Sequence, residues 1–308
     1  MARRTIGQED FCFAAADRRS SLDELSAVID WRRADALLAS ISCAAKGEQG
    51  WPPLCLLKAL VLARWYDLSD VKLAEALDDR ASFRRFCGFS RNEPTPERTA
   101  FVRFRSILAK RDLGEPLFAA ITEQLCERHL SVKQGTLVDA TIIASASKGD
   151  DEARWIKHKN RTAVHGYKAH VACDEDTALI EMVSVTPANI NDGKAGCSII
   201  PDDPGEVYAD SAYRGARFRD AVEARGGRAR VVASHVWARN EEDGAAKLKA
   251  INGPIHKVRG RIEKIFGTCK RHYGLRQMVC RGLAKAKLQV LFTAMAYNLK
   301  RGLNLQHA

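Results

Sequence analysis

The sequence predicts an α/β protein, with an all-α region over residues 1–130 and then a domain over 131–308 built on a mixed five-stranded sheet with flanking helices. Three observations predict it. Up to about Leu130 the apolar residues recur at helical spacing. Near Gly135 that period gives way to TLVDATIIAS (136–145), a β-branched run bounded by Gly and Ser, as in a central strand. Strand-like and helical runs then alternate to the end. A chain of 308 residues with 46% hydrophobic content can bury a large core and has room for two domains.

The N-terminal elements follow in order. LCLLKALVLARWY (54–66) is apolar around most of its circumference and reads as a buried core helix. Ser69 can cap the next helix, DVKLAEALDD, ahead of the short basic-aromatic segment FRRFCGF (83–89). After the turn-rich NEPTPE come two more helices, RTAFVRFRSILAK (98–110) and EPLFAAITEQLCERHL (115–130). Arg84, Arg85, Arg98, Arg103 and Arg105 are candidate phosphate contacts of this module, which is expected to bind DNA. Surface arginines of a domain that touches no DNA read the same way.

The second half opens with the strand over 136–145, and Asp139 lies inside its apolar run. An unpaired buried carboxylate is expensive, so Asp139 must reach a cation, a cluster of donors or water. A structural carboxylate bonded to backbone amides fits equally. SKGDDEARWIKHKNRTA (147–163) has no stable period, and its Lys157, Lys159 and Arg161, with Trp155 nearby, are candidate DNA contacts or part of a linker. HGYKAHVACD (165–174) and ALIEMVSVTPAN (178–189) flank the turn DEDT as an antiparallel hairpin, and Lys168 joins the candidate DNA contacts. Asp192 is expected to cap the short helix that follows. PGEVYADSAYRG (204–215) is the fourth strand and its exit, with Asp210 where the apolar run turns polar. A helix ending in two glycines and a fifth strand, RARVVASHV (228–236), come next.

The charged stretch ARNEEDGAAKLKAINGP reads as a connection, and Pro254 suits the first turn of a helix running to a stop at Gly274. At about 100° per residue, Glu263, Lys270 and His256 fall within roughly 60° of Arg259, with Val258, Ile262, Ile265 and Cys269 on the opposite side. One carboxylate thus sits among three basic groups. A solvated face with an Arg259–Glu263 pair accounts for the same residues. A last amphipathic helix, AKAKLQVLFTAMAYNLKRGL (284–303), closes the domain.

The bulk numbers bound the partners. Forty-nine Lys and Arg against 38 Asp and Glu give a formal charge of +11, which suggests a polyanion, although solubility alone also accounts for it. There is neither an apolar run of membrane-spanning length nor a signal-peptide pattern, so a cytoplasmic, nucleoid-associated protein is expected. The nine cysteines include no CxxC pair, which points to reduced thiols and argues against zinc.

From 135 onward the order is strand, strand, strand, short helix, strand, helix, strand, helix, that of a ribonuclease H-like domain. Asp139, Asp210 and Glu263, on the first strand, after the fourth and on the later helix, can converge. Two divalent ions held there suit in-line phosphoryl transfer, and hard oxygen ligands favour Mg2+ or Mn2+. Arg259 and Lys270 can orient phosphate.

The spacing His-x2-Arg-x3-Glu-x6-Lys from His256 to Lys270 resembles the signature around the last acidic residue of bacterial insertion-sequence DDE transposases, where Tyr usually stands in the place of His256. LVDATIIAS, HGYKAHVACDEDTALIEMVSVTPANIND and VYADSAYRG resemble the catalytic domain of the insertion-sequence-five group. WPPLCLLKALVLARWYDLSD and SFRRFCGF resemble its N-terminal region, while PTPERTAFVRFR departs from the Thr-rich pattern usual there. The resemblance implies that Asp139, Asp210 and Glu263 are a catalytic triad and metal ligands. It also implies cleavage at the element's ends and strand transfer into target DNA, by a dimer or larger assembly that holds both terminal inverted repeats. A DNA-binding protein descended from a transposase, and a structure-selective nuclease of the same fold, are the alternatives.

Overall fold

The computed structural model describes residues 20–41, 50–90, 93–128, 133–157 and 162–307. Helices come first, each with a local reason. α1 (Ser21–Val28) starts at a reciprocal cap, in which Ser20 Oγ accepts from Asp23 N–H while Asp23 accepts from Ser20 N–H. α2 (Arg32–Leu38) follows. α3 (Pro53–Trp65) begins with the proline that suits a first turn and is buried along most of its length, Ala59 to Arg64 included. Ser69 Oγ caps α4 (Asp70–Asp79), and α5 (Ala81–Cys87) ends at Gly88, whose φ of 91° a side chain rarely adopts. α6 (Arg98–Lys110) and α7 (Gly114–Arg128) complete the set. Of the arginines assigned to phosphates, Arg105 and Arg85 pair with Asp70 and Asp23, and Arg84 donates to the carbonyls of Ser90 and Glu93. Arg98 and Arg103 are exposed.

The sheet contains β1 (Gly135–Ala144), β2 (Arg154–Ile156), β3 (Val164–Asp174), β4 (Ile180–Pro187), β5 (Glu206–Ala209) and β6 (Arg228–Val231). β1 lies between an antiparallel β3 and a parallel β5, and β6 extends the sheet beyond β5. β4 forms the expected hairpin with β3. The count is six rather than five because β2 pairs with the start of β3, and three residues are too few to show a period. One face of β1 and β3 presents Leu137, Ile143, Tyr167 and Val171 to the main core, while the other presents Val138 and Ala172 to Tyr213, Phe218 and Val222.

α8 (Asp192–Ala195), α9 (Ala216–Glu223), α10 (Glu241–His272) and α11 (Leu283–Gln306) complete the chain. α10 begins well before Pro254, which lies inside it. Asn240 Oδ1 accepts from Asp243 N–H, and Glu241, Glu242 and Asp243 suit the positive end of the helix, so a strong cap precedes the proline. Asp192 is not the cap of α8: Asn191 Oδ1 accepts from Lys194 N–H, and Asp192 is the first helical residue.

α11 is the element on which both halves pack. Leu288, Leu291, Phe292, Met295 and Leu299 are nearly or fully buried among α3, α6, α7 and β4, each contributing about 1.5–3 kcal/mol of apolar transfer. Asn298, with no exposed surface, bonds both the N–H and the C=O of Ile180 at 2.8 and 2.7 Å, and donates to Thr122 Oγ1 of α7 at 3.1 Å. Stranding such buried groups costs about 1–3 kcal/mol each. A single core therefore runs from the N-terminal helices to the sheet.

Candidate active site

The parallel pairing of β1 with β5 ends at Val138 opposite Ala209. One residue further on each strand stand Asp139 and Asp210, so the register sets two carboxylates side by side. Each is held by a neighbouring backbone amide. Asp139 Oδ1 accepts from Ala140 N–H at 2.8 Å, and Asp210 Oδ1 accepts from Ser211 N–H at 2.7 Å as the cap of the turn Ser211–Tyr213.

α10 crosses these strands and brings Arg259 between the two acids. Its Nη2 lies 3.2 Å from Asp139 Oδ2 and its Nη1 lies 3.5 Å from Asp210 Oδ1. Arg259 is 6% exposed. On the helix surface it stands at the edge of the buried stripe formed by Ile255, Ile262 and Phe266, which adjoins the charged stripe instead of opposing it. Burial pushes the Asp139 carboxyl up to about 6, and Arg259 and the Ala140 amide offset only part of that cost. The nearby charges of Asp210 and Asp192 push in the same direction as burial.

A second polar group lies around α8. Asp192 Oδ1 is 2.6 Å from Lys168 Nζ and 4.0 Å from His170 Nδ1. Lys168 also donates to Ile190 O at 2.8 Å and is 4% exposed, so its ammonium is committed inside the protein and not offered to a surface. His170 shares a 3.0 Å hydrogen bond with Thr186, and burial lowers its pKa to about 4, which leaves it neutral at pH 7. Tyr213 is buried with an unpartnered hydroxyl, and its acidity is suppressed by burial first and then by Asp139 and Asp192. Tyr213 and His170 carry no sequence signal for this site beyond their nearness to Asp210 and Lys168.

The other expected residues are placed as follows. Glu263 is one helical turn beyond Arg259, on the exposed side of α10. Lys270 is half-buried and donates to Ile142 O of β1 at 2.9 Å. His256 and Lys157 are exposed, and Trp155, 56% exposed, packs its ring at 5.2 Å from that of His165. Lys159 and Arg161 lie outside the described residues.

Does the Asp139–Asp210 pair suit a divalent cation? Its donors are hard carboxylate oxygens, and a guanidinium already spans both of them as a positive charge in that place. The two residues fit. Among the described residues, however, no group of three His, Cys, Asp or Glu side chains is gathered closely enough to hold a metal ion, so Glu263 is not brought to the pair. No described helix is long and apolar enough to cross a membrane.

Comparison with known proteins places this geometry in context. A model described as a transposase DDE domain matches residues 130–299, and one described as a transposase domain matches residues 12–106. Among solved structures the chain is similar to the piggyBac transposase synaptic complex with hairpin DNA, with 10% identity over 92% of this chain and 73% of that chain and a TM-score of 0.46.

Proposed function

The chain belongs to the transposase DDE-domain family, and on that premise we propose that Asp139, Asp210 and Glu263 are the carboxylates that carry its phosphoryl transfer. The observation that supports this most directly is the pairing of Asp139 with Asp210 around one cationic group. As a transposase, the protein acts on DNA, and its family generally works with divalent ions. We take these to be two Mg2+ or Mn2+ ions. When bound between carboxylates, such ions supply an activated oxygen nucleophile and stabilise the leaving oxygen.

The geometry supports these roles for the chain's own residues. Asp139 and Asp210 provide oxygen donors fixed where the parallel pairing of β1 with β5 ends and by their amide partners. Arg259 keeps positive charge between them and can orient a scissile phosphate. Glu263 rides on the same helix, one turn away, roughly 6 Å along its axis. Lys270, held against β1, and exposed Lys157 are the further phosphate contacts. Buried Lys168 instead positions Asp192.

The finer reading is cleavage at insertion-sequence ends and transfer to target DNA by a member of the insertion-sequence-five group. Residues 1–130 would grip the terminal repeats and 131–308 would carry the chemistry, in a dimer or larger assembly at the nucleoid. The test is cleavage and joining of labelled duplexes taken from DNA flanking the gene, with Mg2+. Glu263→Gln and Asp139→Asn should each lower cleavage on the order of a thousandfold. Duplex affinity should stay within a few-fold, and light scattering of the joined complex should report at least two copies. Normal cutting by Glu263→Gln would remove Glu263 from the trio. Cutting without joining would indicate a nuclease, and binding without cutting a DNA-binding protein.

A further inference from the structure

A cavity of about 640 Å³ lies where α3, α6 and α11 meet the segment after α10. Arg64, Arg98, Arg105 and Lys285 line it, with Asp67 and Asp70 as the acidic counterparts. Four cations thus face two carboxylates. Asp70 is already committed, since both of its oxygens are taken by the Arg105 fork. Asp67 stands at the turn after α3, near Arg64 but not paired with it.

Arg64 is the informative residue. It is 8% exposed, and among the described residues its guanidinium has no hydrogen-bond or ion-pair partner. Burial and the neighbouring Arg105 both disfavour its charge, and Asp67 and Asp70 compensate less. Arginine stays protonated regardless, so the folded chain carries a desolvated cation that faces this recess. The N-terminus of α4, capped by Ser69, opens on the same recess and adds positive potential.

We propose that this cavity binds a phosphate group, with Arg64 at its base and Arg98 and Lys285 at its rim. A guanidinium fork matches two phosphate oxygens, and the rim cations supply the remaining charge. The site is separate from the Asp139–Asp210 pair, and only the choice of DNA as its phosphate source rests on the proposed function. It lies beside Gly274, roughly 22 Å along α10 from Arg259. That span corresponds to about six base steps of a duplex, which favours a DNA backbone phosphate as the source over a free phosphate ester.

The test uses the full chain and two readouts: anisotropy of a labelled duplex across a salt series, and thermal melting with and without pyrophosphate. Arg64→Met and Arg98→Gln should each lower the slope of log affinity against log salt by about 1. Free Arg64→Met should melt no lower than wild type, because no internal partner is lost. If pyrophosphate raises the melting temperature of wild type but not of the variants, and the duplex slopes are unchanged, the site stands with a free phosphate ester as its source. Unchanged slopes together with an unchanged pyrophosphate shift in both variants would overturn the proposal. Should Arg64→Met melt lower than wild type, Arg98→Gln, at an exposed side chain, decides the matter by the same two readouts.

Discussion

Arg259 and Arg64 are buried to nearly the same degree, 6% and 8% exposed, but differ in where their compensating charge comes from. Arg259 is flanked by Asp139 and Asp210, both delivered by the sheet. Arg64 lines its cavity with three other cations; Asp67 lies near it without pairing, and Asp70 is engaged by Arg105. The difference teaches that burial of a cation does not by itself indicate its role. A charge balanced within the chain belongs to an internal site, whereas one left unbalanced calls for a partner from outside.

The largest effect on stability should come from breaking the balanced side. Arg259→Met leaves Asp139 buried without its cation, and about 3–5 kcal/mol of stability should be lost at pH 8 in urea titrations. Arg64→Met should show no such loss. Equal losses would erase the distinction between the two arginines.

A smaller effect follows from the proton on Asp139. Its pKa is about 6 in the folded protein and near 3.8 in the unfolded chain. Between those values the folded state holds the extra proton, so stability falls as the pH rises from about 4 to 6 and stays lower above. Asp139→Asn removes this titration. Its advantage over wild type should be near zero around pH 4 and grow to about 2–3 kcal/mol by pH 8, read from melting curves across pH. An advantage that did not change with pH would mean that Arg259 already balances Asp139 fully.

The smallest effect concerns the helices that carry the two arginines. α3 has proline only in its first turns, but α10 has Pro254 in its interior, five residues before Arg259. Pro254→Ala should restore a backbone hydrogen bond and raise stability by about 1 kcal/mol in denaturant titrations. A loss instead would show that the local backbone geometry set by Pro254 is needed to aim Arg259 at the acids.

What the sequence determined by itself was everything set by short-range chemistry. The apolar circumference of residues 54–66 specified α3, and Ser69 marked the start of α4. The β-branched run over 136–145 and the hairpin turn gave the centre of the sheet, and Asp210 was legible at the end of a strand. These features repeat at a fixed period or depend on a neighbour a few residues away. The tertiary structure alone decided the rest. Pro254 resembled a helix start because its local chemistry permits one, but the cap at Asn240 and the packing of α10 carry the helix through it. β2 exists only because the beginning of β3 has an edge to pair with. Lys168 looked like a surface cation in a strand, yet the sheet is covered there and Asp192 claims the ammonium. A single Arg64 within an apolar run was visible in the sequence, but not whether an acid would face it. The pairing of Arg259 with Asp139 and Asp210 joins residues 120 and 49 positions apart, and it forms only because α10 crosses the middle of β1 beside the end of β5. Local periodicity sets which face of an element a side chain occupies; what that face meets depends on how distant elements pack.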